Sequence, residues 1–107
     1  TDPQAAVTIL APDHPLLHRP NRIGPADWAG WDKERGLYFA SQWDDAYQPL
    51  LAMHDPNEQP LTGALVSARI GKGRHTHLSL TLHHQMEKLT PGAFRLFANL
   101  LTPDDQP

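Results

Sequence analysis

Three histidines raise the question of chemistry. His75 and His77 stand two apart in "GRHTHLSLTLHH", so on an extended strand both imidazoles leave one face; His83 follows on the same parity. Several zinc sites take two ligands at that spacing, but a tetrahedral site needs a third oriented ligand, and no Asp or Glu falls in register with the pair. Ser79 and Thr81 share the face, ordinary company for histidine on the polar side of a half-buried hairpin. We therefore read the histidines as hairpin surface, keep a metal set of His75, His77 and His83 as the alternative, and assign no catalytic residue.

The other chemistry-bearing stretches are weaker. "HDPNE", residues 54–58, has the residue types of a deacetylase zinc motif in the wrong order, with Pro after Asp instead of after His. "GKG", residues 71–73, lacks the flanking glycine and Ser/Thr of a phosphate-binding loop and precedes a strand, so it is a turn. Asp44-Asp45 reads as a solvated turn, and no serine sits in a Gly-x-Ser-x-Gly elbow. Trp28, Trp31 and Trp43, with Tyr38, Phe39 and Tyr47 nearby, offer an alternative as a sugar-stacking platform, against packing into one layer.

The elements that position these residues are short, because eleven prolines in 107 residues interrupt the chain at about twice the usual share. Residues 7–10 read as a buried strand, and Pro25 suits the first position of a short helix over 25–34. Residues 36–40 and 47–54 have strand composition, with Pro49 demoting the start of the second. Residues 55–63 are a loop. Alternation over 64–70 and 74–82 predicts two antiparallel strands around Gly71-Lys72-Gly73, with Leu78 and Leu80 on the face opposite His75 and His77. Thr90 and Pro91 start a closing amphipathic helix in which Phe94, Leu96, Phe97, Leu100 and Leu101 recur at helical spacing, and burial of Phe94, Phe97 and Leu101 is expected.

Composition excludes several classes. The formal net charge is -3 and the nine basic residues are dispersed, so no stripe tracks nucleic-acid phosphates. Without cysteine there is no disulfide, thiolate metal site or cysteine nucleophile. No apolar run approaches the roughly 20 residues of a membrane helix, and the N-terminal stretch lacks the pattern of a signal peptide. The chain reads as soluble, with the cytoplasm as the default compartment, and as one domain or part-domain over 1–107.

Several stretches taken together carry a resemblance: "HPLL", "PNRIGPADWAGWDKERGLYF", "WDDAYQPLLAMHDPNEQPLTGALVSARIGKG" and "GAFRLFANLL". In order and spacing they resemble the C-terminal glutamine-amidotransferase-like region attached to bacterial deacetylases of the LmbE-like (PIG-L) family, over about residues 14–101. The turn followed by a terminal helix is also similar to the trehalose-utilisation-type branch of amidotransferase-like folds. There the strand after the turn often ends in Gly-His, whereas Thr81-Leu82 stands here with His83 one residue late. The resemblance implies an α/β fold, the C-terminal half of a flavodoxin-like or amidotransferase-like layer with a mostly parallel sheet. It implies aromatic or small residues at positions 75 and 77 and Arg at 84, which supports the surface reading of the histidines.

The reading that follows is a non-catalytic accessory segment of an LmbE-like protein whose parent hydrolyses N-acetylated sugar derivatives. No cofactor belongs to this chain, and zinc belongs to another domain of the parent. The alternative is a stand-alone metal-binding or carbohydrate-binding module. Expected partners are the rest of the parent chain and, for the isolated chain, a second copy, meeting at a sheet edge or at the apolar residues 7–10 and 50–53.

Overall fold

In the computed structural model, residues 1–36, 39 and 41–102 are described. Among the described residues, five strands and two helices follow one another as β1 (Ala6–Ile9), β2 (Gln48–Pro49), β3 (Leu51–His54), β4 (Leu65–Ile70), β5 (Gly73–Leu78), α1 (Leu82–Glu87) and α2 (Pro91–Leu101). Two single 3-10 turns, Pro15–Leu17 and Pro25–Trp28, lie between β1 and β2.

The fold mixes strands and helices, as expected, but every strand pairing among the described residues is antiparallel: β1 with β3, and β2 with β4 with β5. This corrects the mostly parallel sheet. A parallel pair needs a crossover that is usually helical; β4 and β5 are joined by a tight turn, and the described part of the connection from β1 to β2 holds 3-10 turns and no α-helix. One extended segment, residues 48–54, serves both sheets. Pro49 faces Val66 of β4, the Leu50 amide donates to the Leu65 carbonyl at 2.9 Å, and Leu51 to His54 then face Ile9 to Ala6 of β1.

The hairpin of β4 and β5 forms as an antiparallel pair, but its register is one residue tighter than a turn over 71–73 would give, with Leu65 opposite Leu78, Val66 opposite His77 and Ala68 opposite His75. Its turn is tighter than three residues, because Gly73 already pairs with Ile70. Gly71 takes φ +59° as the first of the two central residues, where a type II′ turn requires glycine. The second strand stops at Leu78 instead of running to 82. Leu80 makes one bridge to Gly36, and Leu82 opens α1, a helix absent from the sequence reading. The strand expected over 36–40 falls mostly on residues outside those described. The helix expected over 25–34 is only the 3-10 turn Pro25–Trp28: Ala29 is extended and Gly30 has φ +78°, which turns the chain so that Trp31 folds back to donate its indole N–H to the Asp27 carbonyl at 2.9 Å.

One core gathers Leu16, Leu17, Ile23, Trp28, Trp31, Leu50, Leu51, Met53, Ala64, Leu65, Leu80, Leu82, Ala93 and Leu96. Leu50, Leu51 and Met53 are fully enclosed, so residues 50–53 are not the exposed apolar contact that was expected. The closing helix is present with Pro91 in its first turn, but it is rotated from the anticipated orientation. Gly92, Ala93, Leu96 and Asn99 face inward, while Phe94, Phe97 and Leu101 are 43%, 39% and 69% exposed. Close approach sets that rotation: a Cβ on Gly92 would overlap the backbone carbonyl of Asp27 in the second 3-10 turn.

Candidate functional site

The histidine set does not assemble. His75 and His77 leave the exposed side of β5, opposite Ala68 and Val66, whereas His83 sits on α1 beside Leu78, whose parity on β5 points to the other face. His75 Nδ1 shares a hydrogen bond with the Tyr47 hydroxyl at 2.7 Å, the two rings meeting edge-on with centroids 5.7 Å apart. His77 Nε2 shares one with Ser79 Oγ at 3.2 Å. Among the described residues no three His, Asp or Glu side chains are grouped so that they could hold a metal ion. In "HDPNE", His54 Nδ1 lies 2.9 Å from the Asp55 carbonyl, Asp55 accepts from the Asp2 amide, and Glu58 is exposed beyond the turn at Asn57.

The tryptophans divide as well. Trp28 and Trp31 are buried against each other with centroids 5.2 Å apart, and the Arg35 guanidinium lies 5.9 Å from each ring. Arg35 donates through Nε to the Ala5 carbonyl at 2.7 Å and through Nη1 to the Trp28 carbonyl at 2.9 Å. Burial lowers its pKa, against a smaller raising effect of Asp2. Sugar stacking needs an open indole face, and those of Trp28 and Trp31, two of the three tryptophans considered from the sequence, are enclosed; Trp43 is half-buried.

What the fold does build is an apolar surface. A groove of about 310 Å³ runs between the end of β5, α1 and α2, lined by Leu78, Leu80, Leu82, His83, Met86, Phe97 and Leu100. Beside it Phe94, Phe97 and Leu101 fall within roughly 60° of one another at 3.6 residues per turn, forming one outward stripe. A surface helix ordinarily turns its polar residues to water. In α2 the buried side carries Ala93, Leu96 and Asn99, while Phe94, Phe97 and Leu101 stay exposed. Arg95 lies on the exposed side and reaches back to the fold: its Nε donates to Asp27 Oδ1 at 2.7 Å and its Nη2 to the Arg22 carbonyl at 2.9 Å. Asn99 Nδ2 donates to the carbonyls of Leu16 at 2.9 Å and Asn21 at 2.6 Å, and its Oδ1 accepts from the Asn21 amide.

Sequence reasoning missed this surface because it assigned the largest apolar side chains to the core. Gly92 and Ala93, small residues in the first turn of α2, are the signal that marks the side of closest approach. The groove and the stripe offer dispersion and desolvation to a partner. Compared with known protein families, with curated proteins and with solved structures, the chain matches none.

Proposed function

We propose that this chain is a non-catalytic accessory segment that acts by docking, and that it belongs to an LmbE-like, deacetylase-related protein whose other domain holds zinc and hydrolyses N-acetylated sugar derivatives. The observation that supports docking is the exposed apolar stripe of α2, Phe94, Phe97 and Leu101, beside the groove that Leu78, Leu80, Leu82 and Met86 line, while Asn99 is buried. The deacetylase parent is supported by the resemblance of the stretches spanning about residues 14–101. In this reading the parallel strands of an amidotransferase-like layer come from the remainder of the parent, and the antiparallel hairpin with α2 supplies one end of it.

Acetate release from N-acetylated amino sugars by the purified chain, with and without added zinc, tests the reading. The expected result is no release above buffer. Zinc-dependent turnover abolished by a His75→Ala, His77→Ala double substitution would make the chain an enzyme in its own right and overturn it.

A further inference from the structure

We propose that the turn end of the β4–β5 hairpin is a binding site for a phosphate group, gripped between the guanidinium groups of Arg69 and Arg74. The inference is independent of the α2 surface and of the deacetylase parent. The nine basic residues are dispersed along the chain, but the strand register sets Arg69 directly opposite Arg74. Opposite residues of an antiparallel pair send their side chains from one face, with Cβ atoms roughly 5 Å apart, so both guanidinium groups reach one ligand. Lys72, in the turn between them, adds a third positive charge at the same end.

The face the two arginines share leads back to the core. Behind them Ser67 stands opposite Thr76, with their hydroxyls 3.0 Å apart, and behind these Leu65 stands opposite Leu78. Arg69 is exposed and Arg74 half-buried, so the pair is open to a ligand on one side and backed by protein on the other. Like charges directly opposite one another destabilise a strand pair. Burial, and behind it Arg69, lowers the pKa of Arg74; burial, and behind it Arg74, lowers that of His14, the cap of the first 3-10 turn. These groups therefore lie within one another's field, an arrangement that is costly alone and favourable around an anion. Residues 63–86 contain no Asp or Glu, and Asp13, the carboxylate next to His14, lies 3.9 Å from the Arg22 guanidinium and is 90% exposed.

Chemistry narrows the ligand. A guanidinium presents its donors as a planar fork that matches a pair of oxygens. A carboxylate has one such pair and fills one fork. A phosphate group carries at least three acceptor oxygens on a tetrahedral centre and takes both forks, with a charge close to the two that it neutralises.

Titration of the nitrogen-15-labelled chain with inorganic phosphate at pH 7, with ionic strength held constant by sodium chloride, tests it. The arginine Nε–Hε resonances lost in Arg69→Gln and in Arg74→Gln identify the two side chains. Both are expected to shift along one saturating curve with dissociation in roughly the millimolar range, while Arg95, bonded to Asp27, stays in place. Each substitution is expected to weaken binding about tenfold with near-ultraviolet circular dichroism kept, and Arg69→Lys, which keeps the charge without the fork, to restore only part of it. Glucose 6-phosphate and glucose separate the sources of the group: tighter binding of the ester than of the free ion assigns the site to a phosphorylated metabolite, equal binding assigns it to phosphate itself, and glucose alone is expected to shift neither resonance. Shifts that chloride reproduces at equal ionic strength overturn the proposal, as does phosphate binding that survives both substitutions to Gln.

Discussion

At the scale of single residues, Gly92 opposes two effects of known size. Alanine is the better helix former by about 1 kcal/mol, so propensity alone predicts that Gly92→Ala stabilises α2. The added methyl would overlap the Asp27 carbonyl, which is backbone and cannot swing away, and overpacking of this kind costs about 1–3 kcal/mol. The clash wins, and urea unfolding is expected to show a lower midpoint for Gly92→Ala. His14 gives a pH dependence of definite sign. Its Nδ1 accepts from the Leu16 amide at 3.2 Å and so caps the first 3-10 turn, which requires the unprotonated nitrogen. Burial, and behind it the Arg74 guanidinium, holds the imidazole below its ordinary value of 6.5. The folded chain therefore binds fewer protons than the unfolded one in this window. The contribution of His14 is complete above pH 6.5 and is lost as pH falls through the lower folded value. His14→Asn keeps a capping acceptor without the titration, so the melting temperature of that variant should fall less between pH 7 and pH 5 than that of the parent sequence.

At the scale of elements, α1 has only six residues, too few to stand on helix propensity, and it is held from its side. Gln85 is fully buried; its Oε1 accepts from the Asp32 amide at 2.8 Å, and its Nε2 donates to the carbonyls of Asp32 at 2.8 Å and Glu34 at 3.0 Å. The helix closes with the Leu89 amide on the Met86 carbonyl and the Thr90 amide on the Gln85 carbonyl, which puts Leu89 at φ +58° while 76% of it faces solvent. Glycine suits that closing position and loses no contact worth keeping, so Leu89→Gly should stabilise the isolated chain by about 0.5–1 kcal/mol in thermal unfolding. The same two helices show how far the sequence could be read. The β4–β5 hairpin was legible because period-two alternation flanks a glycine turn, and α2 because Thr90-Pro91 precedes a helical repeat. The extent of β5 was not, since Leu78, Leu80 and Leu82 keep alternating while the backbone changes from strand to helix under the pull of Gln85 on a loop about fifty residues earlier. The face of α2 was misread because hydrophobicity ranks Phe above Gly, whereas the 3-10 turn at Asp27 selects the residue with no side chain. The Tyr47–His75 pair joins residues 28 apart in sequence, a distance over which no local pattern operates.

At the scale of the whole molecule, the question is whether two small sheets make one cooperative unit. One has two strands, a pairing marginal in water by itself, and the other three, of which β2 is only two residues long. They are joined through the backbone. Residues 48–54 run from the edge of β4 to the edge of β1, and Leu50 is the junction, donating to Leu65 in one direction while its carbonyl accepts from Leu10 at 2.8 Å in the other. Its side chain is fully buried in the single core, which also takes Trp28 and Trp31 from the second 3-10 turn region and Leu96 from α2. The Cα radius of gyration, 13.2 Å, is close to the roughly 13 Å expected for 107 residues packed around one core. Opening either sheet therefore exposes the same leucine cluster and removes the packing of the other. Truncating the junction, Leu50→Ala, should cost about 2–5 kcal/mol, the range for a fully enclosed leucine. Far-ultraviolet dichroism, which follows both sheets and the helices, and tryptophan fluorescence in a Trp43→Phe background, which leaves the Trp28–Trp31 cage as the emitter, should then shift together to one lower midpoint. Two separated midpoints in urea, with the fluorescence transition unmoved by Leu50→Ala, would show that the cage and the sheets unfold independently and that the shared segment does not couple them.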